Sequence, residues 1–163
     1  MSQHPESAAD LAAVLEREAI RELKARYCRF LDTKDEQGWR TVFTADVQVR
    51  TDLTVATSEE PAGSFELDGV DAFVDGVLGA LAEVATVHHC HTPEITLTSP
   101  TTATGIWAMA DWLLFPDGNE LRGAGHYHET YVKVEGAWRI SSLHLTRTVV
   151  QTGGALSGIE VPR

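Results

Sequence analysis

The sequence is poor in cysteine and in basic residues, and it has no long apolar run. Its two cysteines, Cys28 and Cys90, are too few for a disulfide framework, so we expect reduced thiols in a cytoplasmic protein. Lys and Arg total 13 against 24 Asp and Glu, a net charge of −11, and such an acidic chain is expected to repel nucleic acid. No apolar stretch approaches the roughly 18 residues that cross a bilayer, and residues 1–10 lack the features of a signal peptide.

Several motifs that carry chemistry are missing as well. The sequence has no glycine-rich phosphate loop, no dinucleotide fingerprint, no Ser-His-Asp spacing and no CxxC pair. The 163 residues and the 43% hydrophobic content predict one globular domain, 1–163. Its core is expected over about 10–150, with flexible tails at 1–7 and 152–163.

Hydrophobic spacing predicts a long first helix. It should start at Ser7, which begins a pattern like a capping box, and end near Asp32. Charged residues, Lys24 among them, are expected on the side opposite an apolar stripe. The stripe consists of Leu11, Val14, Leu15, Ala19, Ile20, Leu23, Tyr27, Phe30 and Leu31.

Two shorter helices and six strands are expected after it. Asp35 should cap a second helix that continues to Phe43, and a third helix is predicted over 69–82. Alternating apolar residues predict strands at 47–55 and 65–67, with a loop over 57–64 between them. Four long strands joined by turns are predicted over 85–98, 103–115, 120–133 and 137–151. Because helices and strands are segregated, the fold class is α+β, with a coiled sheet wrapped around the long helix and a cavity on its concave side.

Asp32 and His88 are the first candidates for chemistry. Asp32 lies at the unfavourable end of a helix dipole, so either it is a solvated terminal residue or it has a second role, such as orienting a histidine. His88 is either a hydrogen-bonded core residue or a general base whose tautomer a carboxylate maintains.

A cluster of histidines surrounds this position. Because side chains alternate along a strand, His88 and Cys90 share one face and His89 and His91 the other, which leaves too few ligands on either face for zinc. A buried oligomer interface is therefore favoured over a metal site on the second face. That face would also carry His126, His128 and His144.

Two features of the last strands leave side-chain orientation open. Gly123 and Gly125 indicate either room for a ligand or coiling of the sheet. A two-residue turn at Glu135-Gly136 and a bulged turn differ by one residue in register. That difference would exchange the faces of Leu143 and His144.

Three segments in order carry a resemblance to a known family: residues 20–32 (IRELKARYCRFLD), 86–88 (TVH) and 131–140 (YVKVEGAWRI). Over about residues 10–150 the chain resembles the SnoaL-like branch of the nuclear-transport-factor-2-like superfamily, and within it scytalone dehydratase and lindane dehydrochlorinase. The resemblance implies a cone-shaped, curved antiparallel (mixed) sheet around a long N-terminal helix, with two shorter helices, enclosing a pocket.

The resemblance also implies a site. In those two enzymes an Asp at the end of the first helix hydrogen-bonds a His, which removes a proton as a leaving group departs, without metal or organic cofactor. Asp32 and His88 fall on these positions and are the implied catalytic residues. The implied substrate-binding residues are Tyr27, Cys28, Trp107, Met109, Asp111, Tyr127, Leu143 and Arg147.

The sequence departs from both relatives where they hold substrate. Trp107 stands where scytalone dehydratase has a second catalytic His, and Gly125 and Tyr127 stand where it has Ser and Asn. Leu143 stands where lindane dehydrochlorinase has a catalytic Arg, for which Arg147 is a substitute along the same face. Neither substrate therefore carries over.

The predicted function is that of a cofactor-independent, dehydratase-like lyase or isomerase acting on a small, largely apolar substrate. Tyr27 or Tyr127 is the expected donor to developing oxyanion charge. The resemblance implies that the outer histidines face the convex side of the sheet, where a homodimer or homotrimer would form. The alternatives are a polyketide cyclase, a non-catalytic small-molecule-binding or oligomerisation domain, and a metal protein.

Overall fold

The computed structural model of the protein describes residues 5–55 and 63–153. The fold class is α+β, as predicted. Two helices and two strands come first, and a third helix and four strands follow in the described ranges. The elements are α1 (Pro5–Asp32), α2 (Glu36–Arg40), β1 (Phe43–Asp52), β2 (Ser64–Asp68), α3 (Val70–Ala80), β3 (Ala85–Leu97), β4 (Thr102–Leu114), β5 (Glu120–Val134) and β6 (Ala137–Gly153).

All six described strands belong to one mixed sheet in the order β2-β1-β6-β5-β4-β3. Neighbouring strands are antiparallel except β1 and β6, which are parallel. The helix α1 packs on the inner face of this sheet, chiefly against β3. The sheet therefore has a covered inner face and an outer, convex face, as the cone prediction requires. None of the helices in the described ranges has both the length and the apolar character of a membrane span.

The first helix differs from its prediction at its start. It already includes Pro5, the first described residue, so it extends beyond Ser7. The first three residues of the predicted apolar stripe do not contribute to the core. Their side chains are more than half exposed: Leu11, Val14 and Leu15.

The prediction that Lys24 lies on the solvated side of α1 is wrong. Its side chain is only 1% exposed. Lys24 lies four residues after Ile20 and three before Tyr27, both of which are buried. This spacing puts Lys24 within the inward-facing stripe of the helix.

The second helix ends earlier than predicted. Asp35 is its N-cap, as expected, and its side chain accepts a hydrogen bond of 2.9 Å from Gly38 N. The helix ends at Arg40, and Phe43 begins β1 instead. Pairing with β6 explains this change, because Ile140 N donates to Val42 O at 2.9 Å.

Other boundaries shift by a few residues. The strand β1 ends at Asp52, so the predicted extension to Leu53 and Val55 is wrong, and both of these side chains are exposed. The third helix spans Val70–Ala80, within the predicted 69–82. Of the predicted loop over 57–64, residues 57–62 lie outside the described ranges, and Ser64 belongs to β2.

The turn between β5 and β6 has two residues. Glu135 and Gly136 have φ of 51° and 82°, as the tight turns of β-hairpins require. The register of β6 then shifts by one residue at Ser141, because Thr130 pairs with Ser142 whereas its neighbour Tyr131 pairs with Ile140. This bulge makes Leu143 face inward and leaves His144 on the outer face, as the resemblance implied.

Candidate functional site

The last residue of α1 contacts the first long strand of the sheet. His88 Nδ1 lies 2.6 Å from Asp32 Oδ1, and the His88 backbone N–H donates to Asp32 Oδ2 at 2.9 Å. Thr86, two residues earlier on β3, donates its hydroxyl to Asp32 Oδ1, also at 2.9 Å. The carboxylate therefore receives three hydrogen bonds from one edge of β3, which fixes its orientation at the helix end.

Lys34 stabilises the contact between Asp32 and His88 through Thr86. Lys34 Nζ donates to Thr86 Oγ1 at 2.9 Å and to Leu31 O at 3.3 Å. Partial burial lowers the pKa of Lys34, and the charge of Asp32 opposes that shift. Lys34 was not singled out in the sequence, because nothing in its spacing connects it with β3.

The hydrogen bond to Asp32 determines which imidazole nitrogen of His88 is available. An ionised carboxylate can only accept, so Nδ1 carries the proton and Nε2 keeps its lone pair. The hydrogen bonds that His88 forms within the described ranges use Nδ1 and the backbone N–H. Its side chain is 7% exposed and that of Asp32 is 23% exposed. An unpaired imidazole nitrogen in this setting is suited to accept a proton.

Asp111 lies directly opposite His88. The two residues are Cα partners in the β3–β4 register, which puts their Cβ atoms roughly 5 Å apart on one face. Arg147, from β6, donates through Nη2 to Asp111 Oδ2 at 2.7 Å. Both side chains of this pair are at least nine-tenths buried. A cation and an anion therefore adjoin His88 on the inner face.

Gly123 makes room for this pair. It lies on β5 opposite Asp111, and a Cβ at position 123 would overlap both Arg147 Nη1 and Asp111 Oδ1. Gly125 has a different role. The β5–β6 register shifts a second time between Ala124 and Gly125, and a Cβ at position 125 would overlap the carbonyl oxygen of Thr146. The missing side chain at Gly123 thus makes room for an ion pair of the protein itself. The missing side chain at Gly125 permits the coiling of the sheet.

One oxygen of Asp111 has no partner in the described part of the chain. Asp111 Oδ1 is buried and accepts no hydrogen bond from the described residues. A buried carboxylate oxygen without a donor is costly. A donor group on a ligand would remove that cost.

A second ion pair lies deeper under α1. Lys24 Nζ contacts Glu129 Oε1 at 2.5 Å, and neither side chain is more than 1% exposed. Glu129 also accepts from the Tyr131 hydroxyl, which in turn accepts from Trp107 Nε1 at 2.7 Å. Neither Lys24 nor Glu129 was predicted to be buried, although each falls on an inward-facing position of its element.

Tyr27 and Tyr127 enclose this lysine. Lys24 Nζ is 3.8 Å from the centre of the Tyr27 ring and 3.6 Å from that of Tyr127. Burial raises the pKa of both hydroxyls well above its ordinary value. The rings of Tyr27 and Tyr127 thus each form a cation–π contact with Lys24, a residue of the protein itself.

Three other predicted substrate-binding residues are core residues. Trp107, Met109 and Leu143 are each less than 5% exposed and belong to the main hydrophobic cluster. Two grooves of about 370 and 360 Å³ lie elsewhere along α1, between Ala12 and Arg26, and share Glu16 and Trp138. Asp32 and His88 line neither of these grooves. The inner face beside the lysine is therefore packed.

Cys28 and Cys90 lie between the two ion-paired regions. Cys28 precedes Asp32 by one helical turn, and Cys90 follows His88 by two residues on the same face. Their sulfur atoms are 3.5 Å apart, and both residues are half-buried free thiols.

The outer histidines lie on the convex face. The rings of His126 and His128 are 6.4 Å apart, and those of His128 and His144 are 6.1 Å apart. His89 and His91 are exposed on β3. Across the described ranges, no three His, Cys, Asp or Glu side chains are arranged to hold a metal ion.

Comparison with known proteins agrees with this architecture. The profile of the SnoaL-like domain matches residues 12–144. A scytalone dehydratase-like protein of Novosphingobium aromaticivorans is 21% identical, with a TM-score of 0.73, over 91% of this chain and 98% of its own. A hexachlorocyclohexane dehydrochlorinase of Novosphingobium barchaimii is 20% identical, with a TM-score of 0.71, over 94% and 99%. A Mycobacterium tuberculosis protein of unknown function is 24% identical, with a TM-score of 0.70, over 90% and 78%.

Proposed function

Because the chain belongs to the SnoaL-like domain family, we propose that it is a cofactor-independent lyase or isomerase in which His88 is the general base and Asp32 orients it. The observation that carries this proposal is the 2.6 Å contact between His88 Nδ1 and Asp32 Oδ1, which leaves Nε2 free. A dehydratase-like protein and a dehydrochlorinase share the fold, and both names describe eliminations. Dehydration is therefore our first reaction type, followed by isomerisation and polyketide cyclisation.

The proposed reaction starts with proton transfer from an acidic C–H of the substrate to His88 Nε2. The Asp32 carboxylate stabilises the imidazolium that forms, in the same way as the Asp of a Ser-His-Asp triad. As the C–H bond breaks, negative charge develops on a neighbouring carbonyl oxygen of the substrate. In a dehydration, the enolate electrons then form the C=C bond as the C–O bond breaks, and the His88 imidazolium gives its proton to the departing hydroxyl, which leaves as water. In an isomerisation, the proton returns at another carbon.

Arg147 and Asp111 are the proposed substrate-binding groups. The Arg147 guanidinium can stabilise the developing oxyanion, a contribution often worth about 3 kcal/mol. Asp111 Oδ1, which lacks a donor, accepts a hydrogen bond from a substrate hydroxyl. This assignment replaces Tyr27 and Tyr127 as oxyanion donors, because their rings enclose Lys24.

The packed inner face limits the size of the substrate. Trp107, Tyr127 and the Lys24–Glu129 pair occupy the space beyond Met109. We therefore favour a small β-hydroxy carbonyl compound, whose hydroxyl and carbonyl match Asp111 and Arg147. The carbonyl also acidifies the C–H that His88 removes.

The test is His88→Ala assayed with a panel of small β-hydroxy ketones, in which dehydration is followed by the absorbance of the enone product. Loss of the base should lower turnover by roughly 10²–10⁴-fold. His89→Ala is the matched control, because His89 is the exposed neighbour on the opposite face. Equal turnover by the wild type and His88→Ala, with both folded, would rule out the general-base role.

A non-catalytic binding protein is the second candidate. The packing around Trp107 and Tyr127 favours it, because the inner face leaves little room for a moving substrate. This candidate predicts saturable ligand-induced shifts of the His88 NMR resonances without product formation. The catalytic proposal predicts the same shifts with turnover.

We also propose that the protein is a homodimer or homotrimer through the convex face. Val87 and Ile106 are 40% and 38% exposed on that face, and Ile106 pairs with His128 across the strands. Burial and the positive charges of His144 and His126 lower the pKa of His128. His128 is therefore uncharged at neutral pH, which suits a buried contact.

This assembly should depend on pH. Because the pKa of His128 is lowered, His128 takes up a proton only in acidic solution, where it would place a cation in the interface. Association should therefore be stronger near pH 8 than near pH 5.5. Two charged residues of β1 adjoin His144: Asp52 lies 3.2 Å from His144 Nε2, and Arg50 is the cross-strand partner of His144. Sedimentation velocity at the two pH values checks the prediction, with Ile106→Lys as the interface variant. A monomer at pH 8 would refute it.

A further inference from the structure

Cys28 and Cys90 form a pair beside the candidate site, and its chemistry is separate from the proposed reaction. We propose that this pair is a redox modification site, in which a hydroperoxide oxidises the two thiols to a disulfide that cross-links α1 to β3. The sulfurs are 3.5 Å apart although the residues are 62 positions apart in the chain. They need to approach by only about 1.5 Å to reach the length of a disulfide bond.

The backbone at Cys90 permits that approach. The regular pairing of β3 with β4 is interrupted between Cys90 and Pro93, where the register shifts. A bulged strand adjusts locally more easily than a continuous ladder. On the other side, Cys28 lies on the inner face of α1, the helix that packs against β3.

The two thiols differ in acidity, which assigns their roles. The hydrogen bond with Cys90 and the positive charge of Lys24 lower the pKa of Cys28, against the effect of burial. The same hydrogen bond and burial raise the pKa of Cys90. Cys28 is therefore the attacking thiolate and Cys90 the thiol that resolves the intermediate.

The reaction has two steps. The Cys28 thiolate attacks a peroxide oxygen, an S–O bond forms as the O–O bond breaks, and the released hydroxide or alkoxide takes up a proton. The Cys90 sulfur then attacks Cys28 Sγ and loses its proton. The S–O bond breaks, and hydroxide leaves with that proton as water. The peroxide is reduced, the two thiols are oxidised, and a thiol reductant reverses the change.

The cross-link would join the two elements that the Asp32–His88 contact also joins. Cys28 lies one helical turn before Asp32, and Cys90 lies two residues after His88. Oxidation should therefore hold α1 against β3 beside the candidate site. Because the closed loop is long, the oxidised protein should melt roughly 5–13 °C higher than the reduced protein.

The experiment treats the reduced full-length protein with hydrogen peroxide and alkylates the remaining thiols in denaturant before mass spectrometry. We expect a monomer about 2 Da lighter with no alkylation, a cross-linked peptide that contains Cys28 and Cys90, and recovery of both thiols with dithiothreitol. Cys90→Ser should stop at a sulfenic acid on Cys28 that dimedone traps.

Several results would overturn the proposal. They are disulfide-linked dimers in place of the internal bond, sulfinic acid as the first product, or two unreacted thiols at peroxide concentrations that oxidise free cysteine. Cys28→Ser is the matched control, because it keeps Cys90 and removes the attacking thiolate. Equally fast oxidation of Cys90 in that variant would contradict the assigned order.

Discussion

Two buried polar networks lie under α1, and they differ in whether their hydrogen bonds are complete. In the inner network, Lys24 contacts Glu129 and two aromatic rings, and Glu129 also accepts from Tyr131. In the outer network, formed by Asp32, His88, Asp111 and Arg147, Asp111 Oδ1 has no partner among the described residues and His88 Nε2 stays available.

The difference separates a structural role from a functional one. A network whose charges are all paired has nothing left with which to bind a ligand, and it makes the surrounding packing specific. A network with an unsatisfied acceptor and a free base has a cost that a ligand can remove. Substitutions in the inner network should therefore change stability, whereas those in the outer network should change binding and turnover more than stability.

The largest expected effect is on the inner network. Lys24→Met leaves the Glu129 carboxylate buried without its cation, so the free energy of unfolding should fall by about 3–5 kcal/mol. Arg26→Met is the matched control on the same helix, since its ion pair with Glu22 is exposed, and it should cost under about 1 kcal/mol. Urea unfolding of both variants checks this comparison.

A double substitution sharpens that result. Lys24→Met combined with Glu129→Leu removes both charges, so it should recover much of the loss. If Lys24→Met alone has the same free energy of unfolding as the wild type, the inner network does not stabilise the packing of α1 on the sheet.

A smaller effect is expected where the outer network is packed. In Gly123→Ala, the new Cβ overlaps Arg147 Nη1 and Asp111 Oδ1, so the ion pair must move, at a cost of about 1–3 kcal/mol. Ligand binding should weaken as well. Gly79→Ala is the control, because a Cβ there meets nothing within 4 Å in α3. The stability of Gly79→Ala should rise by about 0.5–1 kcal/mol. Equal changes in melting temperature for the two variants would contradict the role assigned to Gly123.

The smallest effect should come from the support of Asp32. Thr86→Val removes one of its three hydrogen bonds and should cost about 0.5–1.5 kcal/mol. Thr44→Val makes the same atomic change at a buried hydroxyl with no partner within the described ranges, so it should be neutral or stabilising. Thermal unfolding distinguishes the two variants. A larger loss of stability for Thr44→Val than for Thr86→Val would contradict the role assigned to the Thr86–Asp32 hydrogen bond.

Much of the fold could be predicted because its signals are local. Alternation along β3 to β6 indicated which side chains face inward, and the Asp-Gly and Glu-Gly turns separated the strands. The end of α1 at Asp32 and the cap at Asp35 followed from helix-terminal patterns. The pairing of Asp32 with His88 required the family resemblance, because no local pattern connects residues 56 positions apart.

The predictions failed where a residue's environment depends on a distant partner. Lys24 was assigned to solvent because a lysine is rarely buried unless its charge is compensated, and its compensating partner, Glu129, lies 105 residues away. The register of the last strand depended on a bulge at Ser141, which has no clear sequence signal.

The sequence by itself determined the order of the elements, the face that each strand residue takes between bulges, and the acidic character of the chain. Only the tertiary structure decided that the inner face is packed around a paired lysine, while Asp111 Oδ1 next to His88 finds no donor among residues 5–55 and 63–153. The physical reason is that periodicity shows which side chains point inward. Whether a buried polar group is satisfied depends on distances across the sheet, which arise only when the strands pair and α1 packs on them.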